Sequence, residues 1–245
     1  MRHPTRAAGW LGLYALLAVA PLALSLIRLD PGRGFWVNLS VALGFVGLSL
    51  MGLQFVLAAR FVRATTTFGV DVVLQVHRQM TMVITICVLA HPVVLMVWER
   101  RFLALLDVVH DPLRARFAVA SVVLLLVLVG TSMWRRRLRL SYQAWQLLHA
   151  VLATLIVVTA LVHVLLIGYY VDQPWEKALW IAYSAAFVGI AGWVRVVRPL
   201  IRRRRRWQVV AVRQQPGPGH TVTLAPVDPS AFGPEGFTFR PGQFA

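Results

Sequence analysis

Six stretches of the chain are almost continuously apolar, each close to the roughly 20 residues that a helix needs to cross a bilayer. They run over about residues 10–28, 35–60, 70–98, 116–134, 143–170 and 178–200. The breaks between them are polar or turn-forming: Asp30-Pro31-Gly32-Arg33, Arg60 to Thr67, Glu99 to Arg116, Arg135 to Ser141 and Asp172 to Lys177. After Arg206 the pattern changes period. Trp207 to Arg213 reads as a β-strand, Pro216-Gly217-Pro218-Gly219 as a turn, and His220 to Ala225 as a second strand with clean alternation. Phe237 to Phe244 follows a loop rich in glycine and proline. The expected fold is an all-α membrane protein, a six-helix transmembrane bundle over residues 1–203, with the first strands of a β-domain over 204–245. About 40 residues of short strands are too few for a closed sheet, so the chain is expected to stop inside its second domain.

Composition agrees with the pattern. The chain is 58% hydrophobic, has a mean hydropathy of +0.69 and carries only 14% charged residues. Arg2 and Arg6 ahead of an apolar run resemble a secretory signal, but that run continues from Trp10 to about Ile27 and is read as an uncleaved first span. A net charge of +16 raises the question of nucleic acid. The distribution answers it: all but one of the 25 basic residues are arginine, and they sit mostly in short loops between apolar stretches. That is the positive-inside pattern, and anionic lipid accounts for it without nucleic acid. Arg2, Arg6, Arg60, Arg63, Arg135, Arg136, Arg137, Arg139 and the run Arg202 to Arg206 fall on one side. The larger share on that side predicts that both termini are cytoplasmic. The single cysteine, Cys87, excludes an intrachain disulfide and a cysteine-rich metal site, and reads as a packing residue.

The candidate chemistry lies in four histidines. His77 and His91 fall in the third span, His149 and His163 in the fifth, and each pair is 14 residues apart. At about 1.5 Å and 100° per residue, 14 steps give about 21 Å of rise and return to nearly the same face. The third and fifth spans cross in the same direction, so His77 lies level with His149, and His91 with His163. The spacing asks for two objects stacked across the bilayer, each held by two imidazoles from facing helices. A haem iron with two axial histidines fits, and bundle cores hold cofactors of this kind. No CxxCH motif is present, so the expected groups are two haem b rather than c-type haem. Six-coordinate iron suits electron transfer. Zinc competes poorly, because only two nitrogens meet at each level. The alternative for such histidines is helix–helix hydrogen bonding or proton relay.

Arg78, next to His77, is read as a partner for haem propionates, against the alternative of snorkelling to headgroups. His110, in the loop beside Asp111, is read as surface, as are His3 and His220. Ile84 and Ile156 stand midway between the two histidine levels, so the span between them is expected to be aliphatic.

This arrangement resembles the ferric reductase and NADPH oxidase family of transmembrane di-haem proteins. The resemblance rests on the two His-x13-His pairs in the third and fifth of six spans, and covers nearly the whole chain. The stretch from Asp71 through His77-Arg78 to His91-Pro92 looks like bacterial members. Phe239-Arg240-Pro241-Gly242-Gln243-Phe244 looks like the start of the family's flavin-binding barrel, so Arg240, Pro241, Gly242, Gln243 and Phe244 are its candidate FAD-side residues. The family's His-Pro-Phe-Ser flavin contact and its nicotinamide domain lie beyond Ala245, leaving the FAD site incomplete. Leu95 stands where NADPH oxidases place a second histidine, and the outer half of the second span has no arginine, which argues against a superoxide-producing pocket. The resemblance implies an oxidoreductase of a bacterial plasma membrane. Electrons would pass from cytoplasmic NAD(P)H and FAD to the inner pair (His77, His149), the outer pair (His91, His163) and an extracytoplasmic acceptor, a ferric chelate or oxygen. The Arg135 to Arg139 loop is a candidate dock for a flavin and nicotinamide dehydrogenase domain, or simply topogenic charge.

Two rival functions are weighed. A quinone-linked cytochrome b also pairs histidines this way, but has no use for strands leading to Arg-Pro-Gly-Gln-Phe, and no Pro-Glu-Trp-Tyr stretch is present. A polytopic transporter or anchor is expected to show broken spans and intramembrane acids, which the third to sixth spans almost lack.

Overall fold

The computed structural model describes residues 4–26, 34–59, 68–107, 109–203 and 206–232. It is mostly helical, with six helices long and apolar enough to cross a membrane and a small two-stranded antiparallel sheet near the C-terminus, as the hydropathy pattern predicts. Residues 1–191 and 192–245 form two compact units.

In the first unit the long helices are α1 (Pro4–Leu26), α2 (Phe35–Ala58), α3 (Val70–Trp98), α4 (Leu113–Met133), α5 (Tyr142–Ile167) and α6 (Pro174–Gly192). The last is the start of a sixth span that runs from Pro174 to Ile201. Helix ends depart from the hydropathy boundaries where capping chemistry takes over. α6 begins four residues earlier than its apolar run, because Pro174 suits a first helical position and the Glu176 carboxylate accepts from the Gln173 N–H at 3.0 Å. α5 stops at Ile167 because Gly168 takes φ 73, a left-handed turn that glycine adopts without strain. Its start is fixed by Ser141, whose hydroxyl accepts from the Ala144 N–H.

α2 packs along α3, α4 along α5, and α1 along α2. The main core gathers Leu50, Met51, Leu53, Ile84, Leu125, Leu128, Leu152, Ile156, Val157 and Phe187 from α2 to α6. Ile84 and Ile156 are both fully buried in it, so the space between the two histidine levels is filled by aliphatic side chains. A second cluster of Phe45, Leu48, Val164, Val171 and Trp180 closes the end of the bundle near His163. Many large apolar side chains remain exposed on the outer faces, among them Met82, Ile86, Val97, Leu147 and Leu166. A soluble monomer would not tolerate so much; lipid covers it.

Between α3 and α4 a 3-10 helix covers Arg100–Leu106 and leads into a turn organised by Asp107. The Asp107 carboxylate accepts from the His110 ring at 2.8 Å and from the backbone N–H groups of His110 and Val109 at 3.3 and 3.1 Å. The His110 ring, then those N–H groups and the nearby Arg116 charge, hold the Asp107 carboxyl below the usual carboxylate range. A depressed carboxyl orders the turn above its unfolded value of about 3.9 and loses that effect as the pH falls through its lower folded value. Protection of the Val109 and His110 amides against exchange is therefore expected near neutral pH, to fade below about pH 4, and to be missing at neutral pH in Asp107→Asn. Equal protection in that variant would show that the carboxylate does not hold the turn.

In the second unit the helix continues through a π-helical turn at Trp193–Val197 into α7 (Arg198–Arg202). β1 (Trp207–Gln214) then pairs antiparallel with β2 (His220–Pro226), with Gln214 opposite His220 and a bulge between Val209 and Ala211. Both strands match the sequence reading. Arg240 to Phe244, the candidate flavin-side segment, lie outside the described residues.

Candidate functional site

The 14-residue spacing does in the folded chain what helical geometry requires. His77 of α3 faces His149 of α5 with ring centroids 6.5 Å apart, and His91 faces His163 with centroids also 6.5 Å apart. The two pairs lie at two levels of one bundle, separated by the buried Ile84 and Ile156. Among the described residues no group of three or more histidine, cysteine or acidic side chains converges, so each level offers a pair of donors.

The outer nitrogens of three of these rings are held. His91 Nδ1 lies 2.7 Å from the Ser40 carbonyl oxygen, and the Ser40 hydroxyl donates to the His91 carbonyl at 2.7 Å. His163 Nδ1 lies 2.8 Å from the Arg114 carbonyl at the start of α4. A carbonyl only accepts, so both Nδ1 atoms carry the proton, and both Nε2 atoms keep a free lone pair. His149 Nδ1 lies 3.2 Å from the Ser132 hydroxyl. That hydroxyl sends its proton to the Leu128 carbonyl at 2.7 Å and accepts from the Trp145 indole at 3.3 Å. Its remaining lone pair faces His149, which again places the proton on Nδ1. Hydrogen bonds of this kind fix ring orientation and tautomer in metal-ligating histidines.

Close approach of the helices depends on small residues. A Cβ on Gly44 would lie 3.2 Å from His91 Nδ1, and one on Gly47 would lie 2.8 Å from a Val88 methyl. Ser40, Gly44 and Gly47 therefore form a shallow face along which α3 seats, as small residues do between membrane helices. Trp145 stacks near His149 with centroids 5.3 Å apart, and the Arg135 guanidinium lies over the Tyr142 and Trp145 rings at 5.9 and 5.8 Å.

Residues 43–160 match the family described as Ferric reductase like transmembrane component. These residues form a ferric reductase-like transmembrane domain. The matched segment holds His77, His91 and His149, the glycines of α2 and the Ser132 anchor, and ends three residues before His163. A search of curated proteins returned no match to the chain. The chain is thus an integral membrane protein that carries a ferric reductase-like transmembrane domain, which points to an oxidoreductase and to transmembrane electron transfer in general.

Of the other residues singled out in the sequence, Arg78, within the ferric reductase-like domain, is exposed beside His77 and makes no ion pair among the described residues. The Arg135 to Arg139 loop is a hydrogen-bonded turn in which the Leu140 N–H reaches the Arg135 carbonyl and Arg139 takes φ 53. Sequence reasoning missed Ser40, Gly44, Ser132 and the Arg114 carbonyl. The recurrence of small residues at Ser40, Gly44 and Gly47, four and then three positions apart on one helix face, is the signal that would have found the first two.

Proposed function

We propose that the chain carries electrons across the membrane through two stacked b-type haems, from cytoplasmic NAD(P)H and FAD to an extracytoplasmic acceptor, a ferric chelate or oxygen. The single observation that carries this reading is the 6.5 Å spacing of the rings at both levels, with three Nδ1 atoms turned to protein acceptors. Two metal–imidazole bonds of about 2.0–2.1 Å, plus about 1.1 Å from each nitrogen to its ring centre, set a spacing of about 6.3 Å across one ion. A direct N–H···N hydrogen bond of about 2.9 Å would bring the ring centres to about 5 Å, which tells against a proton relay between the rings. When bound between these histidine pairs, haem would supply one-electron redox chemistry.

His77 and His149 would hold one group, His91 and His163 the other. Ser40, Arg114 and Ser132 orient the rings and raise their basicity. The buried aliphatic layer at Ile84 and Ile156 excludes water between the levels. Arg78, exposed at the His77 level, would meet the propionates there. In this reading the termini and the Arg135 to Arg139 loop face the cytoplasm, as the arginine distribution favours. The strands after Arg206 would open the flavin barrel whose Arg240 to Phe244 segment resembles that of the family.

A reduced-minus-oxidised spectrum of the purified chain in detergent, with haem counted per polypeptide, tests the proposal. About two b-type haems per chain are expected. A folded, helical chain that takes up no haem in cells or on reconstitution would overturn it.

A further inference from the structure

Nδ1 of His77 on α3 and both amide atoms of Gln54 on α2 are buried and lack a hydrogen-bond partner among the described residues. Gln54 is only 9% exposed. Burying an amide without partners is costly, and few such groups persist in a folded protein without a role.

The helix register brings these two groups within about one turn of each other. α2 and α3 run antiparallel: Ser40 meets His91, and Gly47 meets Val88 and Cys87. Ser40, Gly47 and Gln54 are seven residues apart, two turns each, and so lie along one face of α2. His91, Ile84 and His77 follow the same interval back along α3. Stepping from the Ser40–His91 contact by 14 residues on each helix arrives at Gln54 and His77, and stepping from the Gly47–Val88 contact by seven arrives at Gln54 and Thr81, one turn along from His77. The interval between Ser40 and Gln54 equals that between His91 and His77.

We propose that Gln54 is the positioning residue of His77, its side-chain oxygen accepting from His77 Nδ1–H when Nε2 is bound to iron. This rests on the reading that His77 is an axial ligand. It gives the fourth histidine the kind of partner the other three already have. At the opposite rung the small residues Ser40 and Gly44 let a main-chain carbonyl reach the ring. At this rung the α2 face carries Met51 and Gln54 instead, and a longer side chain spans the gap. A hydrogen bond to Nδ1 makes the imidazole a stronger donor to the metal and favours the oxidised iron. Of the two haems, only the one on His77 should respond to this residue.

The test uses the full haem-loaded chain in detergent, with haem content, redox titration and the ferric low-spin EPR signals as readouts. Gln54→Leu is expected to raise the midpoint potential of one haem and shift its EPR signal, leaving the other haem unmoved. Gln54→Glu, which keeps an acceptor oxygen at the same reach, is expected to hold that potential at or below its starting value. Should Gln54→Leu lose one haem outright, recovery of that haem in Gln54→Glu supports the assignment equally. Unchanged potentials and signals in Gln54→Leu, or equal damage in both variants, overturn it. Absence of haem from the unmodified chain would instead overturn the axial-ligand reading beneath it.

Discussion

Replacing His163 with alanine is expected to lower the haem content of the purified chain from about two per polypeptide to about one, with the remaining haem still six-coordinate. The two levels are about 21 Å apart along the helices, and each has its own ring pair and its own hydrogen-bond anchors. Loss of one ring therefore removes one site without touching the other pair. The same result is expected for His91→Ala, and the mirror result, with loss of the other haem, for His77→Ala or His149→Ala. Ser40→Ala is the informative control. The nearest acceptor for His91 Nδ1 is the Ser40 main-chain carbonyl at 2.7 Å, so this variant should keep both haems while losing the hydroxyl bond to the His91 carbonyl and the 3.0 Å contact of that hydroxyl with His91 Nδ1. Haem counted by pyridine haemochrome against protein, together with the spectrum of each variant, decides the matter. Retention of two haems in His163→Ala would remove that residue from the site.

The second large effect concerns packing rather than ligation. Gly52 of α2 sits against the Phe187 ring of α6, and a Cβ at that position would overlap the ring. Phe187 is itself buried in the main core and edges against Tyr183, whose hydroxyl is bonded to the Leu17 carbonyl of α1. The ring has no open space to move into, so Gly52→Leu must push α6 away from α2. Overpacking of this kind costs about 1–3 kcal/mol or more. Thermal melting in detergent should show a midpoint lower by roughly 5 °C, with both haems retained at low temperature. Gly189→Leu, on α6 where an added Cβ meets nothing, should melt with the unmodified chain. A Gly52→Leu midpoint equal to that of the unmodified chain would mean that the two helices are not seated as described.

Much of the architecture is legible in the sequence because two strong periodicities write it. Hydropathy at the length of a bilayer marks six spans, and 14 residues at about 100° each return two histidines to one helix face. What the sequence hides depends on which helix lies beside which. Ser40 is an ordinary serine until α2 is known to lie along α3 with Ser40 at the His91 rung. Ser132 gains its part only when Trp145 and His149, two turns into the next helix, fold back over it. The Arg114 carbonyl carries no side-chain signal, because any residue there would present the same oxygen to His163. Helix ends at Gln173 and Gly168 escaped hydropathy for a simpler reason: single hydrogen bonds and a single left-handed glycine set them, not the average over a span.

The Ser40, Gly44 and Gly47 face of α2, set beside equal histidine intervals on α3 and α5, makes the bundle a ruler. Loss or gain of one residue between His77 and His91 would turn the later ring about 100° around its helix and carry it away from Ser40 and His163 together. Lengthening the chain in the turns between helices disturbs neither. Insertions are therefore expected to be tolerated in the connecting loops, while the interior of α2, α3 and α5 admits substitutions but not a change of length.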